Sequence, residues 1–497
     1  MSISYWSSTL SLPEIPSLKG HLHDEIVVIG GGIAGLTTAY LLLKEGKSVT
    51  IITDKELCSG ETSRTTGHLT CMLDERFFDL EKMFNQDVVS QLINSHTDAI
   101  SQIERICQEE LIACDFQRVE GHLFQESELK TDVLQKEFEL LERLGVPSVK
   151  LEHSPFSFFH SEKMLTFAHQ AQFHPLKYAQ GLLRAITKLN GKIFSNAHVV
   201  DISGGTQCQA RTENNFRISA NTFVIATNTP INNRFIMHTK QAAYRTYACA
   251  ATIPKNSVPK GLYYDTLDPY HYVRLVEEDK NDILIIGGED HKTGQDDHCE
   301  QNYEKLERWA KERFPMIKNI SHFWSGQVLE PIDSIGFLGK NPFEENVYII
   351  TGHSGNGLTY STLGGIIIRD LIVKKTSPYE ELYKPSRITF SAADEFLKEN
   401  INVGKQYIHC LPLPCREDVN DLPNNCGKVI QKSHHKIAVY RDQDGACHEF
   451  SAVCPHLGCI VNWNDAEKTW DCPCHGSRFH CKGKVICGPA TSDLKQF

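Results

Sequence analysis

Two short segments near the C-terminal end each combine cysteine with histidine: Cys454-Pro-His456 and Cys472-Pro-Cys474-His475. A small β domain can present two such segments on facing loops, which brings two thiolates and two imidazoles together. This ligand set suits a 2Fe-2S cluster with two cysteines on one iron and two histidines on the other. It also suits a tetrahedral zinc ion. Zinc sites usually pair Cys with Cys and His with His, whereas here each segment supplies one of each, so the spacing favours the cluster.

Residues 454–477 closely resemble the cluster loops of the Rieske 2Fe-2S family. The resemblance implies that Cys454 and Cys472 bind one iron. It implies that His456 and His475 bind the other iron. Two neutral nitrogens in place of two thiolates raise the reduction potential above that of an all-cysteine cluster.

Further positions in this stretch match the higher-potential members of that family. The resemblance implies a disulfide between Cys459 and Cys474, which joins the two cluster loops in those members. Ser477 matches a serine whose hydroxyl bonds a bridging sulfide. Phe479 departs from the pattern, because those members carry a tyrosine whose hydroxyl bonds a ligand sulfur. We therefore expect a somewhat lower potential.

A glycine-rich turn near the N-terminus lies between two β-rich apolar runs. The runs cover residues 25–30 and 48–54, and a helical pattern follows the turn. This order is typical of a βαβ unit that binds a dinucleotide. Gly30 permits the tight turn, Gly32 lets the backbone approach a pyrophosphate, and Gly35 lets helix and strand pack closely. The N-terminus of the helix would then face the phosphates.

Most of residues 24–375 resembles the D-amino-acid oxidase-like, or glycine oxidase-like, flavoprotein family. Residues 59–68 follow the second strand as that family's flavin-contacting segment does. Residues 346–357 look like its returning strand and glycine turn, which close over the isoalloxazine. The resemblance therefore implies FAD as the cofactor. Beyond the three glycines, it implies FAD contacts at Ile33, Ala34, Arg64, Thr66, Val199, Gly352, Gly355 and Gly357.

The end of the second strand departs from that family. Its acidic residue, which holds the ribose hydroxyls, falls by gap-free count on Thr53, and Asp54 is the next residue. Either Asp54 takes the role through a small bulge, or Thr53 makes a weaker contact. We therefore include both residues among the candidate FAD contacts.

The strands predicted between residues 241 and 288 correspond in that family to the sheet above the flavin. Tyr272 and Arg274 are candidate substrate-contact residues, because alternation puts them on the same face of a strand. A surface sheet with ordinary aromatic residues is the alternative. The family's arginine for the substrate carboxylate falls on Val328, which cannot clamp a carboxylate as a guanidinium does. Either Arg274 or Arg245 substitutes, or the substrate is not a simple amino acid.

The chain is predicted to contain an α/β, Rossmann-type FAD-binding domain with an interleaved antiparallel-sheet substrate domain, and a small all-β Rieske domain. The oxidoreductase body covers 1–376, a linker 377–417 and the Rieske domain 418–497. Residues 79–110 are predicted to form one long helix with an apolar core-facing stripe. The body divides into FAD-binding parts at about 24–75, 192–230 and 325–376, and substrate parts at about 76–191 and 231–324.

Composition narrows the function classes. A net charge of −11 without a dense Lys/Arg run argues against a nucleic-acid partner. No apolar run reaches the length needed to cross a bilayer, and the N-terminus lacks a signal pattern. The cysteines before residue 300 show no repeated spacing, as expected for reduced thiols. We therefore predict a cytoplasmic protein.

Together these features predict an FAD-dependent dehydrogenase acting on a CH–NH or CH–OH group of a small amine or amino-acid-like molecule. Electrons would pass from flavin to the 2Fe-2S cluster and then to a one-electron acceptor protein or a quinone. Two alternatives remain open. One is a flavin oxidase that uses oxygen and keeps the cluster as a structural element. The other is a non-catalytic redox sensor or electron carrier.

Overall fold

The computed structural model describes residues 2–125, 132–156, 158–159, 161–232, 237–296, 298–408, 419 and 421–497. It contains two large sheets and two small ones. The predicted fold class is confirmed: a mixed α/β body is followed by a small all-β domain.

The first large sheet has a parallel centre. The strand Leu22–Ile29 lies between Val49–Ile52 and Arg217–Ile225, and it is parallel to both. Buried branched residues fill these strands because helices cover the sheet. In spatial order the main strands are Phe337–Lys340, Val347–Thr351, Arg217–Ile225, Leu22–Ile29, Val49–Ile52 and Lys192–Phe194, and Val199–Ser203 and Cys208–Thr212 pair antiparallel at the side.

The second large sheet is mostly antiparallel and forms the predicted substrate domain. Its strands are, in spatial order, Asn319–Pro331, Gln241–Pro254, Asn281–Lys292, His271–Glu277, Leu262–Tyr264, Gln117–Phe124, Lys163–Gln172 and His68–Leu69, with Val149–His153 beside Lys163–Gln172. The sheet thus begins at His68 and ends at Pro331. It extends a few residues past the predicted domain boundaries, which stay a prediction.

The α-helices are Tyr5–Thr9, Ile33–Lys44, Phe77–Met83, Gln86–Glu109, Val133–Arg143, Pro175–Lys188, Cys299–Arg313, Gly357–Val373, Glu380–Tyr383 and Ala393–Ile408, and the 3-10 turns are Glu61–Ser63, His238–Lys240 and Phe390–Ala392. The single helix expected over 79–110 is wrong. The chain breaks at Phe84, and the Asn85 side chain accepts from Val88 N–H to begin a second helix. Within the described ranges, no helix is both long and apolar enough to span a bilayer.

The C-terminal domain is built from two small antiparallel sheets. The first contains Cys426–Lys432, His435–Arg441 and Cys447–Ser451, and the second contains Asn462–Asn464, Thr469–Asp471, Arg478–His480 and Val485–Cys487. The predicted boundary at residues 417 and 418 lies outside the described residues. Within the predicted linker, Arg387 makes a buried two-pronged ion pair with Asp333 at 2.8 Å, which fixes this segment to the body.

Candidate active site and cluster site

A cavity of about 590 Å³ lies at the carboxyl ends of the parallel strands. The glycine turn and the first residues of the helix Ile33–Lys44 form one wall. A second helix, Gly357–Val373, also begins at this cavity, so two helix N-termini meet there. Helix N-termini favour anionic groups such as a pyrophosphate.

The glycine turn leaves room only for backbone, as a dinucleotide cradle requires. Gly30 has a φ of +121°, and a Cβ at this position would collide with the Ala226 carbonyl. A Cβ at Gly35 would collide with the Gly30 carbonyl, so this glycine lets helix and strand pack together. The cavity volume lies in the range of cofactor pockets. The residues present therefore fit FAD.

The structure brings most of the predicted FAD contacts to this cavity. Residues from separate stretches line it, namely Gly30, Gly32, Ile33, Ala34, Thr53, Asp54, Arg64, Val199 and Gly357. Thr66 and Gly355 line a smaller adjoining cavity. Gly35 and Gly352 line neither of the two, and Gly35 acts through packing. Both Thr53 and Asp54 reach the cavity, so the choice between them stays a prediction.

The smaller cavity, called the inner chamber below, has a volume of about 130 Å³ and shares Arg64 and Gly357 with the FAD cavity. Tyr272 lines it, as expected for a substrate-contact residue. Its hydroxyl is 2.9 Å from Thr246 Oγ1. Val328, at the position of the family's arginine, also lines this chamber. The inner chamber is therefore the candidate substrate pocket.

Arg274 does not line this chamber, although it shares a strand face with Tyr272. Its guanidinium is buried and donates to the carbonyls of Gly67 and Phe173, both at 2.8 Å. Burial lowers the pKa of Arg274 to about 9. Arg245 is also buried, and it donates to the Ser325 hydroxyl. The geometry thus gives both arginines structural partners rather than a place at the substrate.

The two cluster loops have the same backbone hydrogen bonds. In the first loop, Cys454 N–H donates to the Cys459 carbonyl at 2.8 Å, and Gly458 N–H donates to the Cys454 carbonyl at 3.0 Å. In the second loop, Cys472 N–H donates to the Ser477 carbonyl and Gly476 N–H to the Cys472 carbonyl at the same distances. The two loops therefore hold Cys454 and Cys472 at equivalent positions, while His456 follows its cysteine by two residues and His475 by three.

The side chains of the loops fit a 2Fe-2S cluster. The imidazoles of His456 and His475 lie 5.0 Å apart. His475 Nδ1 is buried and has no hydrogen-bond partner among the described residues, which suits a metal ligand. Burial lowers the pKa of His475 to about 4, so the ring is neutral, as a ligand must be. The predicted disulfide between Cys459 and Cys474 is present.

Ser477 ends the second loop, and Phe479 lies in the strand Arg478–His480 that follows it. The Ser477 hydroxyl accepts from Ala490 N–H at 3.0 Å, which leaves its own proton free to donate. Phe479 is fully buried. The Cys454 thiolate is favoured by a hydrogen bond from Cys472, which lowers the pKa of Cys454.

The body of the protein packs against both cluster loops. His238 lies with its ring 4.9 Å from that of His456 and 5.9 Å from that of His475. Gln327 Nε2 donates to the Gly476 carbonyl at 2.7 Å, and a Cβ on Gly476 would collide with Gln327 and with Ala243. The first loop is more open, because Val453 remains 44% exposed.

The C-terminal domain also completes the FAD cavity. Residues 478–490 supply part of its wall, including Arg478, Ile486 and Cys487. Lys55, at the other side, donates to the Ile486 carbonyl at 2.8 Å and the Val485 carbonyl at 3.3 Å. Cofactor site and cluster domain therefore share one wall.

Sequence reasoning missed four features of this site: His238 at the cluster, Gln327 between pocket and cluster, Lys55 at the shared wall, and carboxylates beside the inner chamber. None of them belongs to a local motif. The position of Gln327, next to Val328 in the family's arginine segment, was the one available signal.

Two family models match the chain. The model described as FAD dependent oxidoreductase matches residues 25–371, and the model described as Rieske [2Fe-2S] domain matches residues 414–497. The first covers well over half of the chain.

One relative matches along almost the whole chain, and two others match one part of it. A Bacillus subtilis protein described as a Rieske 2Fe-2S iron-sulfur protein, YhfW, is 30% identical over 99% of this chain and 97% of its own length. The Haemophilus influenzae oxidoreductase OrdL is 23% identical over 75% of this chain and 89% of its own. The cytochrome b6-f complex iron-sulfur subunit of Chlorobaculum tepidum is 41% identical over 16% of this chain and 42% of its own.

Solved structures share the fold of the body. L-proline dehydrogenase from P. horikoshii aligns with a TM-score of 0.60 at 18% identity, over 74% of this chain and 98% of its own. Glycine oxidase from Geobacillus kaustophilus aligns with a TM-score of 0.59 at 17% identity, over 74% and 99%. The family matches and the cavity together establish FAD and a 2Fe-2S cluster as the cofactors.

Proposed function

The chain belongs to the FAD dependent oxidoreductase family and ends in a Rieske [2Fe-2S] domain, and from this we propose that it is a dehydrogenase with an internal electron relay. It oxidises a small amine or amino-acid-like substrate at FAD. The electrons then pass singly from FAD to the cluster and on to an external acceptor.

One observation carries this proposal: residues 478–490 of the C-terminal domain form part of the wall of the FAD cavity. A domain kept only for structure would not need to form a wall of the cofactor cavity. The contact is held by several polar bonds, including those of Lys55 to Ile486 and of Gln327 to Gly476. His198 adds a contact to the Thr491 carbonyl at 2.9 Å.

The buried Glu467 strengthens this interface from the cluster domain. Its carboxylate accepts from Ser325 Oγ at 2.5 Å and from Tyr303 Oη at 3.0 Å, both in the body. Arg64 lies 4.0 Å away. Polar and ionic bonds at several points thus hold the two domains in one orientation, which an internal relay requires.

Bound FAD supplies the two-electron chemistry: a C–H bond of the substrate breaks with transfer of a hydride, a C=N or C=O bond forms, and a proton leaves from nitrogen or oxygen. The chain's own residues would hold FAD through the backbone of Gly30 and Gly32 and through two helix N-termini. Tyr272 and Thr246 would orient the substrate within the inner chamber. Val328 keeps one side of that chamber apolar.

An acceptor would dock at the first cluster loop. Val453 is exposed there, whereas Gln327 and Ala243 pack against Gly476 of the second loop. A one-electron carrier protein or a quinone fits this role. We place the protein in the cytoplasm, where its many buried free cysteines would stay reduced.

Anaerobic titration with a panel of amines, amino acids and hydroxy acids tests the proposal. Flavin absorbance and the electron paramagnetic resonance (EPR) signal of the reduced cluster are followed in the same sample. We expect loss of flavin absorbance to be followed by appearance of the cluster signal. Reduced flavin beside a cluster that stays oxidised would contradict the relay and favour an oxidase that uses oxygen.

A further inference from the structure

An outer chamber adjoins the inner chamber and opens the way to it. It has a volume of about 490 Å³. The two chambers share lining residues that include Asp74, Tyr270 and Asp290. A molecule longer than the inner chamber can therefore extend into the outer one.

The outer chamber is strongly acidic. Seven carboxylates line it: Asp74, Glu75, Asp79, Asp265, Asp268, Asp290 and Glu330. Arg76 is the one basic side chain among the described residues of this lining, and it donates to the carbonyls of Leu73 and Asp74. Asp79 pairs with Lys82 at 2.6 Å and Asp265 contacts His271 at 3.0 Å, whereas the other five carboxylates make no ion pair with a described residue.

Several polar atoms facing the chambers lack partners as well. Asp290 Oδ1, Tyr264 Oη and His68 Nε2 are buried without a hydrogen-bond partner among the described residues. All three residues line the inner chamber. Buried polar groups are normally satisfied, so these atoms indicate a polar ligand.

Two of these carboxylates, Asp290 and Glu330, have raised pKa values. Burial, with Asp74 nearby, raises the pKa of Asp290 to about 7. Burial, with Asp74 and Asp290 nearby, raises the pKa of Glu330 to about 8. A bound cation would favour the charged form of both groups.

The inner chamber offers aromatic faces and no free guanidinium. Tyr264, Tyr270 and Tyr272 line it, and such rings attract cations. Arg64 and Arg76 also line it, but the Arg64 guanidinium donates to the carbonyls of Ser325 and Ser2, and the Arg76 guanidinium donates to those of Leu73 and Asp74. A substrate carboxylate would therefore meet Val328 and the acidic residues without a clamp.

We propose that the substrate is an amine with a second cationic group and no carboxylate, with its reacting amine in the inner chamber and its second cation among the carboxylates of the outer chamber. This inference rests on the proposed function, because it takes the inner chamber as the substrate pocket. The five carboxylates without an ion-pair partner attract a diamine and repel the carboxylate of an amino acid.

Isothermal titration calorimetry on the FAD- and cluster-loaded protein tests the inference. The probes are 1,4-diaminobutane and 4-aminobutanoate, which match in chain length and differ in the charge of one end. We expect the diamine to bind at least about tenfold more tightly. Equal or tighter binding of 4-aminobutanoate, or no binding of the diamine, would overturn the proposal.

Variants of the chamber carboxylates test whether the diamine binds in the outer chamber. Asp290→Asn and Glu330→Gln should each weaken diamine binding by about tenfold, while flavin absorbance shows that the fold is kept. Asp444→Asn removes an exposed carboxylate in the cluster domain and should leave binding unchanged. Wild-type affinity in both chamber variants would also overturn the proposal.

A different experimental result would contradict the proposed function. Diamine binding without any later cluster signal would support the charge selection and contradict the relay. Cluster reduction driven by 4-aminobutanoate but not by the diamine would support the relay and overturn the charge selection.

Discussion

Gln327 connects the inner chamber to the second cluster loop through Gly476. Its Nε2 donates to the Gly476 carbonyl at 2.7 Å, and its Oε1 accepts from the Cys487 thiol at 2.9 Å. The same residue lines the inner chamber beside Val328. A single side chain thus contacts the substrate pocket and the loop that carries a predicted iron ligand.

Removing this connection should weaken the docking of the cluster domain. Gln327→Ala leaves the Gly476 carbonyl and the Cys487 thiol without their partner, at a cost of about 1–3 kcal/mol. We expect a lower unfolding temperature and slower cluster reduction after flavin reduction, measured by calorimetry and stopped-flow spectroscopy. Gln443→Ala, at an exposed position of the same domain, should change neither quantity. Unchanged relay kinetics in Gln327→Ala would contradict a role for this contact.

Protonation of Glu467 should destabilise the interface between the two domains at low pH. Burial alone would raise the pKa of Glu467, but Arg64, Arg245 and Arg478 outweigh it and hold that pKa well below its usual range. The stability that Glu467 contributes is fully present above the pKa of a glutamate in the unfolded chain. It is lost as the pH falls toward the lower pKa of Glu467 in the folded protein. Glu467→Gln should destabilise the protein by about 3–5 kcal/mol at neutral pH, because it leaves buried guanidinium charge unpaired. Urea unfolding measures this, with the exposed Glu14→Gln as the unaffected control.

The acidic chamber should make the ligand-free protein less stable as pH rises. The pKa values of Asp290 and Glu330 are raised to about 7 and about 8, so the folded state binds more protons than the unfolded chain above pH 4. Stability should therefore fall from about pH 4 to about pH 8 on account of these groups. The groups that face them are Asp74, Glu75, Thr246, His271, Glu289 and Glu399.

Chamber variants check that assignment. Asp290→Asn and Glu330→Gln should each flatten the decline of unfolding temperature between pH 5 and pH 8, roughly the window set by the raised pKa values. A decline of the same slope in both variants would show that other groups cause it. Saturating diamine should also flatten the decline in the wild type, because a bound cation lowers both pKa values.

The cluster ligands can be tested one loop at a time. His456→Ala should abolish the EPR signal of the reduced cluster and leave flavin absorbance in place, because a histidine-ligated iron loses one of its two imidazoles. His434→Ala, at an exposed position of the same domain, should keep the signal. Purified protein that contains zinc and no labile sulfide would contradict the cluster.

The sequence predicts those parts of the site that local spacing determines. The two Cys/His loops and the Gly30 turn are such cases, because turn geometry and ligand spacing act within a few residues. Asn85 could also have been recognised, since asparagine is a favoured helix N-cap. The helix prediction over 79–110 missed it because the apolar stripe continues through the break.

Contacts between distant stretches lie beyond such reasoning. Lys55 and Ile486 are 431 residues apart, and no periodicity links them. Strand alternation placed Arg274 and Tyr272 on one face but could not show that the Arg274 guanidinium would be taken up by the Gly67 and Phe173 carbonyls. The acidic chamber likewise collects carboxylates from several elements of the body.

Residues 478–490 form part of the wall of the FAD cavity. We therefore expect FAD binding to depend on assembly of the cluster. A tail domain that depends on its cluster for folding would, without iron, leave that side of the flavin open. Flavin retention by the purified protein should then follow the iron supply of the cells that made it.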